Sequence, residues 1–173
     1  MSDHRELWQS AHAFTAWYEE TAPRLRLFLR HLLPTGHAAD DVMQETYSQI
    51  WRRPRNYDPQ RGSLCAYLFG VARRQAAEWT RKYKPAGEID FDLPVPGSLE
   101  RDSLIADAFA RITSEQRALL WLREVEGQSY QELAAILDIP IGTVRSRLFA
   151  AREALRAQWH SAPQLTGDSR EPR

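Results

Sequence analysis

One cysteine, Cys65, stands in a chain of 173 residues. A disulfide framework is therefore excluded, and the reducing cytosol is the expected compartment. No apolar run approaches the roughly 20 residues that a membrane-spanning helix needs, so no membrane insertion is expected. The opening segment MSDHRELWQS has no basic region followed by an apolar stretch, unlike a secretory leader. Alternation of apolar and polar residues, the mark of half-buried strands, is missing, as is any internal repeat. None of the five histidines (His4, His12, His31, His37, His160) lies at metal-ligand spacing from another or from Cys65. There is no Gly-rich phosphate loop, no nucleophile elbow and no His-Glu metalloprotease pattern. Cys65 lies between Leu64 and Ala66 near a helix start, where a buried, inert thiol is the commoner outcome and a reactive thiolate the rarer one. No catalytic constellation, metal or cofactor is expected, and with them an enzyme becomes a distant reading.

What the chain does contain is helical periodicity almost throughout. Phe14, Trp17, Tyr18 and Thr21 form one apolar face before Pro23, and Leu25, Phe28, Leu29, Leu32 and Leu33 continue it afterwards. Pro34-Thr35-Gly36 is a stop. A second helix is predicted from near Ala38, carrying Val42, Thr46, Tyr47, Ile50 and Trp51 and ending at Arg52-Arg53-Pro54. The loop Asn56–Gly62 is dense in turn residues. Ser63 is a suitable N-cap for a third helix, with Leu64, Tyr67, Leu68, Val71 and Trp79 facing inward. Residues 85–98, PAGEIDFDLPVPGS, hold three prolines, two glycines and three acids and read as a flexible linker. Helices resume near Leu99, and Thr113 or Ser114 caps one that carries Leu119, Leu120 and Leu122. The expected fold is all-α: two small helical domains, at 10–84 and 99–160, joined by a Pro-rich acidic linker and followed by a disordered tail at 161–173.

The net charge of zero conceals an uneven distribution. From Pro23 to Pro85 there are 12 Lys and Arg against 5 Asp and Glu, and from Ala86 to Glu115 there are 2 against 7. A basic block of this kind either serves phosphates or is a solvated helical surface.

The most informative stretch runs from Ser129 to Leu155. Leu133, Ile136 and Leu137 recur at helical spacing, Asp138-Ile139-Pro140 forms a turn, and Val144, Leu148, Ala151 and Leu155 stripe a second helix. Pro140 cannot continue the first helix, and Asp138 tolerates the left-handed backbone such a turn needs. This is either a hairpin that only packs or a helix-turn-helix whose second helix enters a major groove.

Three blocks, in order, carry a family resemblance that covers roughly residues 13–158. Asp41-Val42-Met43-Gln44-Glu45 with Ile50-Trp51 is the first. Tyr57-Asp58-Pro59-Gln60-Arg61-Gly62-Ser63-Leu64, continuing through Leu68-Phe69 to Val71-Ala72-Arg73, is the second. Gly127 to Leu137 with Ile141 to Leu148 and Ala151 to Leu155 is the third. The chain resembles bacterial RNA polymerase sigma factors of the extracytoplasmic-function type. Two departures stand out: Ile112-Thr113 replaces the family's Leu-Pro, and Ala150 replaces a frequent basic residue.

The resemblance implies that the outer face of the second helix, with Asp41, Gln44, Glu45 and Ser48, grips core RNA polymerase through charge-assisted hydrogen bonds. It implies that Asn56, Tyr57 and Arg61, with Arg73, Arg74 and Arg81, hold an unstacked strand of the downstream promoter element, a task for planar side chains and cations. Tyr57 alternatively closes its loop onto the core. Thr143, Arg145, Ser146 and Phe149 would read the upstream element, by guanine pairing for Arg and a thymine methyl contact for Phe. Arg147 and Arg152 would touch phosphate. An anti-sigma factor acting in trans is the implied regulator. Rival readings are a stand-alone helix-turn-helix transcriptional regulator, which leaves the basic N-terminal block idle, and a helical module that binds only protein.

Overall fold

The computed structural model describes residues 7, 8, 10–83 and 107–161, with the side chains of 160 and 161 excepted. The linker expected at 85–98, the start of the second domain at 99–106, and the tail after residue 161 lie outside the described residues.

Among the described residues six α-helices make up the frame: α1 (Ala11–Leu32), α2 (Gly36–Arg52), α3 (Leu64–Tyr83), α4 (Ser114–Leu120), α5 (Tyr130–Leu137) and α6 (Ile141–Ser161). Among the described residues there is no strand. The all-α expectation holds. Ser10 caps α1 by accepting from the Ala13 amide at 3.3 Å. The helix then runs unbroken through Pro23. Pro23 and Glu19, whose carbonyl the missing N–H would have met, both lie on the exposed side, where water can take the bond. α2 begins two residues before the expected Ala38, because Thr35 accepts from the Ala38 amide at 3.2 Å and so becomes the cap. Ser63 caps α3 as expected, from the Ala66 amide at 3.1 Å. Thr113 and Gln116 form a reciprocal capping box on α4, so Ile112-Thr113 serves the start of that helix as well as Leu-Pro would.

α1, α2 and α3 pack on one another, and α6 packs on both α4 and α5, with α4 continuing into a π-helical turn at Trp121–Val125. The two sets also touch: α3 lies against α5 and α1 against α4. Their buried side chains form one continuous cluster, from Leu25, Phe28 and Phe69 through Leu119 and Leu122 to Ile136 and Leu148. Gly70 of α3 faces the α5 backbone. A Cβ there would stand 3.6 Å from the Ile136 Cα. Arg117 is buried at the base of α4, and its Nη1 donates to the carbonyls of Ile112 (2.6 Å), Ala110 (3.3 Å) and Phe109 (3.4 Å), closing the helical turn at 107–110.

Candidate polymerase and promoter interfaces

α2 divides cleanly into two faces. Val42, Met43, Thr46, Tyr47 and Ile50 are buried. Tyr47 anchors this face: its hydroxyl lies 2.7 Å from Thr21 Oγ1, and its ring meets Phe14, Trp17 and Tyr18 edge-on. Burial raises its pKa, so the phenol stays protonated. On the opposite face Asp41, Gln44 and Glu45 are exposed and Ser48 is half-buried. Asp41 and Glu45 border a groove whose far wall is the last part of α3, with Glu78, Trp79 and Tyr83. Three carboxylates against one lysine, Lys82, beside two aromatic rings suit a partner with basic and apolar side chains.

The loop between α2 and α3 opens with a short 3₁₀ turn, Pro54–Asn56. The Tyr57 hydroxyl donates to the Gly62 carbonyl at 3.3 Å, and Asp58 accepts from the Gln60 amide at 2.9 Å. The half-buried ring of Tyr57 lies 5.4 Å from that of Tyr67 and 5.8 Å from that of Trp8. Its ring closes the loop, and it also borders a cleft. That cleft, about 330 Å³, is bordered by Asn56, Tyr57, Arg61, Tyr67 and Arg74, with Ala135 of α5 across it. Burial raises the pKa of both tyrosines, so both stay neutral.

Four of the six residues expected to hold the downstream strand, Asn56, Tyr57, Arg61 and Arg74, thus share one cleft. The other two do not join them. Arg73 points to the second half, where its Nη1 donates to the Leu137 carbonyl at 3.4 Å. Arg81 stands about 10 Å farther along α3, exposed, with Glu78 at 3.9 Å. Tyr67 belongs to the cleft wall and Trp8 packs on Tyr57, and neither was among the expected site residues. Tyr67 shares the inward periodicity of α3, and Trp8 lies where no helical pattern has begun.

The helix-turn-helix forms as expected. Ser129 and Glu132 make a capping box on α5, and Asp138 adopts the left-handed conformation at φ 55° that ends it. On α6, Val144, Leu148 and Ala151 are buried, while Arg145, Ser146 and Phe149 face outward, with Phe149 68% exposed. Thr143 is half-buried at the helix start, and its carbonyl accepts from Ser146 Oγ at 3.0 Å. Arg147 and Arg152 stand differently. Arg147 borders a cavity of about 280 Å³ between the halves, with Arg73, Phe28 and Leu122. Arg152 is bound to Glu124 of the π turn at 2.7 Å.

A set of polar contacts fastens the second half over α1 and α3. Arg24 holds Glu126 through Nε at 2.9 Å and through a second bond from Nη2. The Glu126 side chain is 2% exposed. Ser63 Oγ donates to Glu132 Oε1 at 2.6 Å. Burial opposes the charge on Glu132, but the bonds from Ser63 and Ser129 prevail and hold its carboxyl below the ordinary range. His31 packs on Trp121 at 5.0 Å, and burial, with Arg117 and Arg30 nearby, lowers its pKa to about 4. Cys65 lies beneath these contacts with its thiol pKa raised by burial, the condition of an unreactive cysteine.

Residues 17–85 match the family Sigma-70 region 2, and residues 103–155 match Sigma-70, region 4. The chain is 27% identical over 164 residues to the ECF RNA polymerase sigma factor RpoE of Cereibacter sphaeroides, covering 89% of this chain and 88% of that one. It is 28% identical over 162 residues to the ECF RNA polymerase sigma factor SigK of Mycolicibacterium vanbaalenii, covering 86% and 82%. The chain belongs to the extracytoplasmic-function sigma factors. As a sigma factor it directs promoter-specific transcription initiation. The region 2 match gives the basic N-terminal half the place that a stand-alone regulator would leave empty.

The sigma factor RpoE of Bartonella quintana, solved in complex with the anti-sigma factor NepR, is a structural neighbour at a TM-score of 0.67 and 25% identity, covering 86% of this sigma factor and 98% of that chain. CnrH, solved with the cytosolic domain of CnrY, shares the fold at a TM-score of 0.68 and 20% identity, covering 92% and 96%. Among the described residues no helix is long and apolar enough to cross a membrane.

Proposed function

We propose that this sigma factor divides initiation among three faces, carried by a first domain at 10–84 and a second at 99–160. The outer face of α2 (Asp41, Gln44, Glu45, Ser48), extended by Glu78 on α3, takes the basic surface of core RNA polymerase. The cleft of Asn56, Tyr57, Arg61 and Arg74 takes an unstacked base of the downstream element, with Arg73 and Arg81 on the strand's backbone. The outward face of α6 reads the upstream element as duplex, through Thr143, Arg145, Ser146 and Phe149, with Arg147 and Arg152 at phosphates. The sigma factor works in the cytoplasm and catalyses no reaction itself. Two related sigma factors have been solved with inhibitors, RpoE with NepR and CnrH with CnrY, and an anti-sigma factor of this kind is proposed as its regulator.

What supports this division is that one chain holds an exposed helix face of a kind suited to a duplex groove, and a cleft of rings and guanidinium groups of a kind suited to an unstacked base. A strand entering that cleft and running along α3 must displace α5. The closed arrangement is therefore the form that binds single strands weakly, and core polymerase, by holding α2, favours the open one.

Transcription in vitro with core polymerase on a genomic promoter library tests the reading: a shared pair of promoter elements should emerge from the active templates. Glu45→Arg should weaken core binding by about 2 kcal/mol or more, as loss of an interfacial charge pair does, with helicity unchanged. Wild-type affinity of that variant in a fluorescence titration would remove α2 from the interface.

A further inference from the structure

Trp8 lies ahead of residue 17, where the region 2 match begins, yet it touches two structures on which the downstream cleft depends. The first is the end of α2. The carbonyl of Ile50 would ordinarily accept from the amide four residues on, but residue 54 is proline and has no N–H. Ile50 is fully buried, so water is a poor substitute. The Trp8 indole supplies the missing donor, with Nε1 3.2 Å from the Ile50 oxygen. The second is Tyr57. The ring of Trp8 lies 5.8 Å from it and that of Tyr67 5.4 Å, both tilted against it. The hydroxyl of Tyr57 is tied to the Gly62 carbonyl. The ring thus has few ways to turn, and it is held in line with the cleft that Arg61 and Arg74 border.

We infer that Trp8 is a positioning residue for promoter opening: it closes the end of α2 that Pro54 leaves open and sets the ring of Tyr57 for an unstacked base. This rests on the reading of the cleft as the downstream-strand site. Trp8 itself need not touch DNA. Its effect runs through Tyr57, so it should alter opening and base preference and leave duplex reading by α6 alone.

The test uses the full chain assembled with core polymerase, on a promoter carrying 2-aminopurine in the non-template strand of the downstream element. Trp8→Ala should slow or reduce opening by about tenfold, the scale of one hydrogen bond plus one aromatic contact. Core affinity and upstream duplex affinity should stay within about twofold, since neither face contacts Trp8. Trp8→Phe keeps a ring but loses the donor, and should lose about fivefold. Pro54→Ala returns a backbone N–H to the Ile50 carbonyl, so the double variant Trp8→Phe/Pro54→Ala should recover most of that loss. A second readout is selection of single-stranded downstream sequences, in which Trp8→Ala should flatten the preference at one position. Opening by Trp8→Ala within about twofold of wild type, with an unchanged base profile, overturns the inference provided Tyr57→Ala is defective. If Tyr57→Ala opens promoters normally, the cleft reading fails and the inference with it.

Discussion

The outward face of α6 and the cleft beside α3 are both proposed for promoter DNA, and they are in opposite states. Arg145, Ser146 and Phe149 stand exposed on a helix whose other side is packed by Val144, Leu148 and Ala151. The cleft has α5 across its mouth, with Arg73 bound to the Leu137 carbonyl and Ser63 to Glu132. The difference follows the substrates. A base pair in duplex DNA presents its edge to any exposed helix that fits the groove. An unstacked base exists only after a few kcal/mol have been spent to free it. A surface for that state is useful only after polymerase is in place, and until then its rings and cations are safer covered.

Breaking the closure at its most buried charge should have the largest effect. Arg24→Ala leaves the Glu126 carboxylate, 2% exposed, without its cation. A buried pair that loses one partner costs roughly 3–5 kcal/mol, and because Arg24 is itself 41% exposed the expected figure is about 2–3 kcal/mol. The closed form gives way, and affinity for a single-stranded downstream oligonucleotide, measured by anisotropy at one salt concentration, should rise by at least tenfold. Gly70→Leu should act likewise by pushing α5 off α3. Unchanged single-strand affinity in both variants would mean that the covering does not restrict the cleft.

Acid should open the same contact. His31 is held neutral against Trp121, with a pKa of about 4 against an ordinary 6.5. Opening lets it take up a proton, so the closed form is unaffected above pH 6.5, loses stability as pH falls through that value, and stops losing it from this group below about 4. The full span corresponds to about 3 kcal/mol. His31→Phe should remove this pH dependence of single-strand binding while leaving that of Glu132, whose depressed carboxyl titrates below the ordinary carboxylate range. A wild-type profile in His31→Phe would place the titration elsewhere.

The open face should respond quite differently. Arg145→Ala should cost about 1–3 kcal/mol on the preferred upstream element and relax preference at one base pair in a competitive selection, with single-strand binding untouched. Arg152→Ala should have the smallest effect, at most about 1 kcal/mol and the same for every sequence, because its guanidinium already spends part of its charge on Glu124. A changed base profile for Arg152→Ala would move it from the phosphate class to the base-reading one.

Much of the fold was legible along the chain because helices are local. Val42, Thr46, Tyr47 and Ile50 recur at the spacing of one helical face, and all four are buried. Asp138 in a left-handed turn, Ser63 and Thr113 as caps, and the outward placing of Arg145, Ser146 and Phe149 all depend on residues within about one turn of each other. The order of three motifs then indicated the family. The sequence by itself therefore determined which helices form, which face of each is apolar, and which residue types are available to polymerase and DNA. Only the tertiary structure decided which of those residues share a site. Arg24 finds Glu126 and Cys65 finds Gln128 across more than 60 positions of chain, and no periodicity encodes such pairs. Trp8 meets the Ile50 carbonyl because a proline four residues beyond Ile50 has no hydrogen to give. Arg73 and Arg74 are neighbours in sequence, yet successive helical positions are turned by about 100°, so one reaches α5 and the other the cleft. Local chemistry sets what each helix can offer, and the packing of one half on the other settles what it presents.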